Sequence, residues 1–374
     1  MLRKAAWHAV RAAGYAEPNP LVGAVIVRDG EVLGVGHHQR FGGLHAEREA
    51  LADCQRRGHD PHGSTVYVTL EPCRHHGKQP PCTDALIDAG VRKVVYARPD
   101  PAGVSGGGAD VLRAAGIEVE VATDPGVAHV ISEPFVHRVR TGLPWVIAKW
   151  AQTIDGRIAT RTRESQWISG PMSRRRVHRL RARVDGVLTG LGTILADDPM
   201  LNARDVRRVR RDAARVVVDP DLETPIEAAV VRTASEIPTI IACSKDLITA
   251  DICERRRRSL EDAGVKLLGV PEATDQPGRL RLDMLLCALV ERFAMANVLV
   301  ESGAVLLGSL LEADLVNEAR VYVAPLMLAD AEALPVATGR AALALSEGRR
   351  FALGRAKRVG EDMELTYVRR AVSP

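Results

Sequence analysis

One imidazole, two thiols and a carboxylate recur along this chain in a pattern that could do hydrolytic metal chemistry: His45-Ala46-Glu47, then Pro72-Cys73, then Cys82. A catalytic zinc takes three protein ligands and keeps one position open for water. His45, Cys73 and Cys82 supply the three. Glu47 would take a proton from the water, then protonate a ring nitrogen and the departing ammonia. An H-x-E pattern followed by Pro-Cys and a second Cys suits a zinc site that deaminates an amino-substituted ring. The second half is stretched here, with eight residues, Arg74 to Pro81, between the cysteines. A closed structural zinc, with His75 or His76 as fourth ligand, is the competing reading.

Positioning these groups constrains the elements around them. Two residues apart on a regular helix, His45 and Glu47 would point to different faces. His45 must therefore stand where the helix begins, and Gly42 and Gly43 permit the bend before it. Cys82 follows Pro80-Pro81 and opens a helix whose dipole favours a thiolate. Cys73 sits in a turn after a strand, Thr65 to Leu70. The stretch from Arg74 to Pro81 is then a loop that offers a substrate surface.

The elements alternate along the chain. Leu2 to Ala13 reads as a helix stopped by Gly14. Leu21 to Arg28 and Glu31 to Val35 flank Asp29-Gly30, a hairpin signal. A helix from about His45 to Arg57, a helix from Cys82 to Ala89, a strand from Val91 to Ala97, and a helix–strand pair over Ala109 to Ala115 and Ile117 to Val121 complete one α/β domain. The pattern pauses at Thr141-Gly142-Leu143-Pro144, which divides the chain into residues 1–143 and 144–374. In the second part, strands are expected at Trp145 to Trp150, Asp185 to Leu191, Arg215 to Asp219, Thr239 to Cys243, Val265 to Val270 and Asn297 to Glu301. Helices are expected at about Pro171 to Arg183, Asp251 to Ala263, Leu282 to Ala294 and Val305 to Ala313. That alternation predicts a mainly parallel sheet covered on both faces.

Composition narrows the partners. Aromatic residues are only 3% and the net charge is +4 over 374 residues, so neither stacking platforms nor a strong positive field argue for nucleic acid. No apolar stretch is long enough to span a membrane, and the N-terminal residues lack the apolar core of a signal peptide. Cys54, Cys243, Cys253 and Cys287 read as buried thiols in no disulfide framework, which fits a reducing, cytoplasmic setting. Arg174 to Arg183 and Arg204 to Arg211 are Arg-rich stretches; Arg255 to Arg258 reads as a solvated helix face. Glu301-Ser302-Gly303 ends a strand and opens a helix, so its backbone N–H groups could meet a phosphate. It is not a G-x-G-x-x-G fingerprint.

Several strings together resemble the bifunctional riboflavin-biosynthesis deaminase–reductase family. They are Pro18-Asn19-Pro20-Leu21-Val22-Gly23-Ala24-Val25-Ile26, Gly36-His37-His38, and Glu71-Pro72-Cys73-Arg74-His75-His76-Gly77-Lys78-Gln79-Pro80-Pro81-Cys82. In the second half they are Lys149 to Arg157, Ser165-Gln166-Trp167-Ile168, Gly190 to Arg204, and Glu301-Ser302-Gly303. The resemblance implies an N-terminal cytidine-deaminase-like α/β/α sandwich and a C-terminal dihydrofolate-reductase-like α/β domain. It implies Zn2+ and NADPH as cofactors and a phosphoribosylamino-pyrimidine as the small-molecule substrate, deaminated and then reduced. Asn19 and His38 would hold the pyrimidine or its ribose phosphate. Ala151, Trp167, Thr193, Asp197 and the turn of Gly303, Ala304, Val305, Leu306, Leu307, Gly308 and Ser309 would contact NADPH. Ser165, Arg181, Leu201, Arg204 and Glu301 would contact substrate, with Arg181 and Arg204 suited to a phosphate fork. The family also implies a homo-oligomer through the reductase halves. The chain departs from it at Leu44, where Pro is usual, and at Ala304 and Val305, where Pro and Thr are frequent.

Overall fold

The computed structural model describes residues 1–77, 79–207, 209, 212–339, 342 and 344–369. The chain divides into two compact units, Met1–Leu143 and Pro144–Pro374.

The first unit is built on a five-stranded sheet of order β2-β1-β3-β4-β5, comprising β1 (Gly23–Arg28), β2 (Glu31–His37), β3 (Thr65–Val68), β4 (Lys93–Tyr96) and β5 (Glu118–Val121). β1 runs antiparallel to β2 and β3; β3, β4 and β5 are parallel. The β1–β2 turn places both Asp29 and Gly30 in the left-handed region, which suits the twist of a tight hairpin. Alternation along β1 sorts its side chains to two faces. Ala24 and Ile26 pack under α2 (Ala46–Arg56), α3 (Cys82–Asp88) and α4 (Gly108–Ala114), together with Ala50, Leu86 and Leu112. Val25 and Val27 pack on the other face with Ala5 of α1 (Leu2–Ala9). The short helix α5 (Val127–Val130) adds Ala128 to a small cluster with Ala6 and Ala97, and α6 (Glu133–Thr141) ends the unit. The helix expected to reach Ala13 tightens to a 3-10 turn at Val10–Ala12.

One glycine sets the metal centre's position. A Cβ on Gly36 of β2 would lie 2.3 Å from the Ala50 nitrogen and 2.4 Å from the Ala46 carbonyl oxygen. Only glycine lets α2 lie this close to the strand, and that contact fixes where α2 begins.

The second unit carries a nine-stranded sheet of order β11-β10-β9-β8-β14-β6-β15-β18-β17. Its strands are β6 (Trp145–Gln152), β8 (Gly186–Gly190), β9 (Ala214–Val218), β10 (Thr239–Ser244), β11 (Lys266–Val270), β14 (Asn297–Val300), β15 (Glu318–Val323), β17 (Phe351–Val359) and β18 (Asp362–Arg369). Two ribbons stand apart from it: β7 (Arg157–Ala159) with β16 (Leu334–Pro335), and β12 (Glu272–Ala273) with β13 (Gln276–Leu280). From β11 across to β15, each adjacent pair of strands is parallel. Adjacent residues such as Val216 and Val217, or Ile240 and Ile241, are both buried, so both faces are covered as expected. The helices are α7 (Pro171–Arg181), α8 (Leu191–Asp197), α9 (Ala229–Arg232), α10 (Glu254–Asp262), α11 (Leu282–Phe293) and α12 (Ala304–Glu312).

Several expectations need correction. β18 and β17 extend the sheet in antiparallel fashion, a region the sequence pattern left unassigned. Arg256 and Arg257 are not simply solvated: Arg256 donates to the carbonyls of Leu222 and Thr224, and Arg257 to those of Leu247 and Ala250. Cys54 and Cys243 are buried, but Cys253 and Cys287 are only half-buried. Among the described residues, no helix is long and apolar enough to cross a membrane.

Candidate metal centre and ligand cleft

His45 immediately precedes α2, in extended backbone at φ −73° and ψ 162°. The chain turns helical only after it, so His45 and the buried Glu47 of the first turn line one pocket. Gly42 supplies the bend with a φ of +78°. Cys82 is the first residue of α3, behind Pro81, and its N–H donates to the Cys73 sulfur at 3.4 Å. His45 Nδ1 lies 3.4 Å from Cys73 Sγ and 3.3 Å from Cys82 Sγ. All three donor atoms lie within 4.8 Å of one another. Ordinary zinc bond lengths on a tetrahedron separate nitrogen and sulfur by about 3.5 Å. The donor set therefore fits zinc in both chemistry and spacing. Neither His75 nor His76 joins the group, so among the described residues no fourth side chain closes it.

The electrostatics follow from crowding. The Cys82 thiol, and then His45, pull the Cys73 thiol down to about 4, while the Cys82 thiol moves up. Burial, and then the charge of Cys73, push the Glu47 carboxyl up to about 7. A divalent cation on the three donors favours the anionic forms, so it reinforces the Cys73 shift and opposes those of Cys82 and Glu47.

The pocket around them has a volume of about 340 Å³ and is lined by Asn19, His38, Glu47, Asp100 and Phe135 among others. That is the size of a small-ligand site. His38 Nδ1 lies 2.9 Å from the Leu44 carbonyl oxygen and Nε2 lies 3.1 Å from the Asn19 amide nitrogen. Nδ1–H therefore donates to Leu44, and Nε2 accepts from Asn19. Burial lowers the His38 pKa. Glu71, next to Pro72-Cys73 in the sequence, has a structural part to play. Its carboxylate accepts N–H groups from Asp100, Gly107 and Ala109 at 2.9 to 3.1 Å, and so holds the loop that walls the pocket.

The second unit holds a cleft of about 1870 Å³. That exceeds the usual range for one small ligand and leaves room for a dinucleotide with a substrate beside it. Glu301, just past β14, receives Arg181 of α7 on both oxygens, at 2.6 and 3.0 Å, and Lys149 of β6 at 3.3 Å. Burial alone would raise this carboxyl, but Arg181 and Lys149 hold it down at about 2. Arg181 thus turns its fork to Glu301 and its Nη1 to the Asn202 carbonyl at 3.1 Å. Arg204 is exposed, and among the described residues its side chain bonds Asn202 Oδ1, at 3.1 Å. Arg208, Arg210 and Arg211 of the same stretch lie outside the described residues, as does Lys78 of the first unit's loop.

Thr193 and Gly303 meet: the Gly303 N–H donates to Thr193 Oγ1 at 3.2 Å, joining the starts of α8 and α12. Asp197 Oδ1 lies 3.4 Å from both Ser165 Oγ and Gln166 Nε2. Trp167 is exposed, with Arg174 stacked 4.5 Å from its ring centre. Ala151, Ala304, Val305, Leu306 and Ser309 line the cleft. Leu307 and Gly308 do not. Helical rotation turns them inward, Leu307 into the core, and a Cβ on Gly308 would lie 1.6 Å from the Thr338 carbonyl oxygen. Leu201 borders the cleft, but its side chain belongs to the hydrophobic core. Lys149 and His178 also line the cleft, and the sequence reading gave neither a role.

Two family models divide the chain where the two sites lie. The cytidine and deoxycytidylate deaminase zinc-binding region matches residues 1–98, and the RibD C-terminal domain matches residues 144–365. The riboflavin biosynthesis protein RibD of Escherichia coli is 38% identical over 355 residues, covering 94% of each chain. The chain belongs to the RibD family. It is a bifunctional deaminase–reductase of riboflavin biosynthesis. RibD of Actinobacillus pleuropneumoniae is 37% identical, covering all of this chain and 95% of that one. Among solved structures, RibD of Acinetobacter baumannii matches at a TM-score of 0.82 with 33% identity over 99% of this chain and 98% of its own. A Thermotoga maritima protein, named as a diaminohydroxyphosphoribosylaminopyrimidine deaminase and 5-amino-6-(5-phosphoribosylamino)uracil reductase, matches at 0.83 with 30% identity, covering 98% of this chain and 97% of its own.

The departures from the RibD pattern have structural readings. Leu44 contributes its carbonyl to His38 while its side chain is exposed. Val305 projects outward from α12, at the place where a Thr would offer a hydroxyl. The β12–β13 ribbon brings Arg279 to the same helix, 3.3 Å from Ser309 Oγ.

Proposed function

We propose that residues 1–143 hydrolytically deaminate 2,5-diamino-6-(5-phosphoribosylamino)pyrimidin-4-one. Residues 144–374 then reduce the ribosyl group of 5-amino-6-(5-phosphoribosylamino)uracil to ribityl with NADPH. The observation that carries this reading is the three-donor group of His45, Cys73 and Cys82 with Glu47 in the same pocket.

Zinc bound to His45, Cys73 and Cys82 would supply a Lewis acid that lets water ionise near neutral pH. Glu47 carries protons, from the attacking water to the ring nitrogen and then to the leaving ammonia. The Asn19 amide donates to His38, which leaves its carbonyl oxygen to orient the substrate.

In the second unit, NADPH along Ala151, Trp167, Thr193, Asp197 and the start of α12 would supply the hydride. Ser165, Arg181, Leu201, Arg204 and Glu301 hold the substrate, with Arg204 as the cation open to its phosphate. Lys149 and Arg181 keep Glu301 anionic, so that it accepts hydrogen bonds from the sugar hydroxyls. The same reading expects a cytoplasmic homo-oligomer joined through the reductase halves, with no nucleic-acid partner.

The test supplies the diamino-pyrimidine phosphate to zinc-loaded protein and measures ammonia release and NADPH oxidation separately. Both signals are expected, and ammonia release should stop when a chelator strips the zinc. Zinc retention without ammonia release would overturn the deaminase assignment. Sedimentation as a monomer at working concentration would overturn the assembly.

A further inference from the structure

A segment of irregular backbone, residues 198–204, borders the reductase cleft. Asp198 and Leu201 both stand in left-handed backbone, with φ of 37° and 51°. Non-glycine residues adopt that region at a cost, so surrounding contacts must hold it. One hold is the Leu201 side chain, sunk in the core. A second is Asp198 Oδ1, which receives the Ala229 N–H at 2.6 Å. The third is a single imidazole nitrogen. His178 Nδ1 lies 3.2 Å from the Asn202 carbonyl oxygen, and the Arg204 N–H points to the same atom at 3.4 Å.

His178 and Arg181 are three residues apart on α7 and share a face. Both reach the Asn202 carbonyl, and Arg181 also clamps Glu301. Residues 202–204 are thus wrapped around the end of one helix. With Nδ1 protonated, the ring donates to Asn202; with Nδ1 bare, it accepts from Arg204. Either tautomer closes the loop. The ring is buried and its Nδ1 is engaged with loop backbone.

We infer that His178 is a positioning residue for the phosphoribosyl substrate: its Nδ1 sets the Asn202–Arg204 backbone and thereby aims the exposed Arg204 guanidinium at the substrate phosphate. This rests on the proposed role of Arg204 as a substrate contact. His178 Nδ1 engages Asn202 and Arg204 and not the residues proposed to contact NADPH, so His178 acts on substrate affinity and leaves cofactor affinity alone.

The test uses the full-length zinc-loaded protein and the variants H178L, H178N, H178Q and R204A. Asparagine keeps a polar atom near the Nδ1 position; glutamine places it near Nε2 instead; leucine removes it. We expect H178L and H178Q to raise KM for the aminouracil phosphoribosyl substrate about tenfold, as for loss of a hydrogen bond that orients a charged contact. kcat should stay within about threefold, and H178N should recover most of the affinity. The NADPH Kd, read by fluorescence without substrate, should not move. Ribose 5-phosphate should raise the melting temperature of the parent and of H178N more than that of H178Q. Parental KM in both H178L and H178Q would overturn the inference. So would a joint loss of KM, kcat and NADPH binding in all three His178 variants, which would make the ring a general packing element. Parental KM in R204A would instead overturn the reading on which it rests.

Discussion

The metal centre of the first unit is made of near neighbours, whereas the cleft of the second is tied across the chain. His45 is 28 residues from Cys73 and 37 from Cys82. Glu301 is 120 residues from Arg181 and 152 from Lys149. A metal needs few donor atoms at fixed spacing, and two helix starts with one turn after a strand deliver them. A cleft that holds two ligands needs a wide surface, and here buried charge fixes its floor. The first site should therefore fail all at once, and the second by degrees.

The largest effect should come from Glu47→Gln. The amide keeps the volume of the side chain but cannot carry a proton between water, ring and ammonia. General acid–base groups contribute roughly 10²–10⁴-fold, so ammonia release should fall by about that factor. NADPH oxidation with the aminouracil substrate supplied directly should stay at the parental rate. Parental deamination by this variant would remove the carboxylate from the mechanism.

Glu301→Gln tests the second site through stability. Removing one partner of a buried pair leaves Arg181 and Lys149 uncompensated, at a cost of about 3 kcal/mol or more. The pH dependence has a definite sign. The carboxyl is depressed from an ordinary 4.5 to about 2, so its contribution is present above pH 4.5 and is lost as the pH falls through 2. Urea melts of the second unit should show this loss between those values in the parent protein and not in the variant. Identical acid limbs would mean that the ion cluster does not stabilise the fold.

The same contrast decided what could be read from sequence. The two-residue gap between His45 and Glu47 forces the histidine to the helix start, and the structure has it there. Strands such as β10 and β14 were legible because buried parallel strands are continuous apolar runs. β17 and β18 were not legible, since the exposed edge strand β17 carries Arg355, Lys357 and Arg358, and β18 inside it buries Asp362, Glu364 and Thr366, so neither has an apolar signal to read. In the Arg-rich α7, Arg181 was singled out through the family resemblance and His178 was not, although both turn inward while Arg179 is exposed. Glu71 likewise gave no signal, because its three partners lie at Asp100, Gly107 and Ala109. Leu307 and Gly308 came with the Gly303–Ser309 turn that the resemblance implied, and the inner face of α12 takes both away from the cleft lining.

A smaller effect is expected from Arg204→Ala. The side chain is exposed and among the described residues bonds just Asn202, so its loss should leave the fold within about 0.5 kcal/mol. Losing one charge-assisted phosphate contact should raise KM in the reductase step by about tenfold or somewhat more. Deamination should be untouched. A stability loss comparable to that of Glu301→Gln would place Arg204 in the structural cluster and not at the ligand.

The smallest effect should come from Leu44→Pro, which restores the residue usual at that position. The Leu44 side chain is exposed, and its carbonyl, which proline also has, accepts from His38 at 2.9 Å. No hydrogen bond from the Leu44 N–H is found among the described residues. Proline restricts the residue before it, and that residue is Gly43, the most permissive choice. His45 after it is already extended, so α2 need not move. Stiffening the unfolded chain at a compatible site stabilises by about 0.4–1 kcal/mol. The variant should therefore melt slightly higher and release ammonia at the parental rate, with unchanged zinc retention against a chelator. Weaker zinc retention would show that the approach to His45 depends on the flexibility of residue 44, and that the near-neighbour construction of this site extends one residue further than the three donors and Glu47.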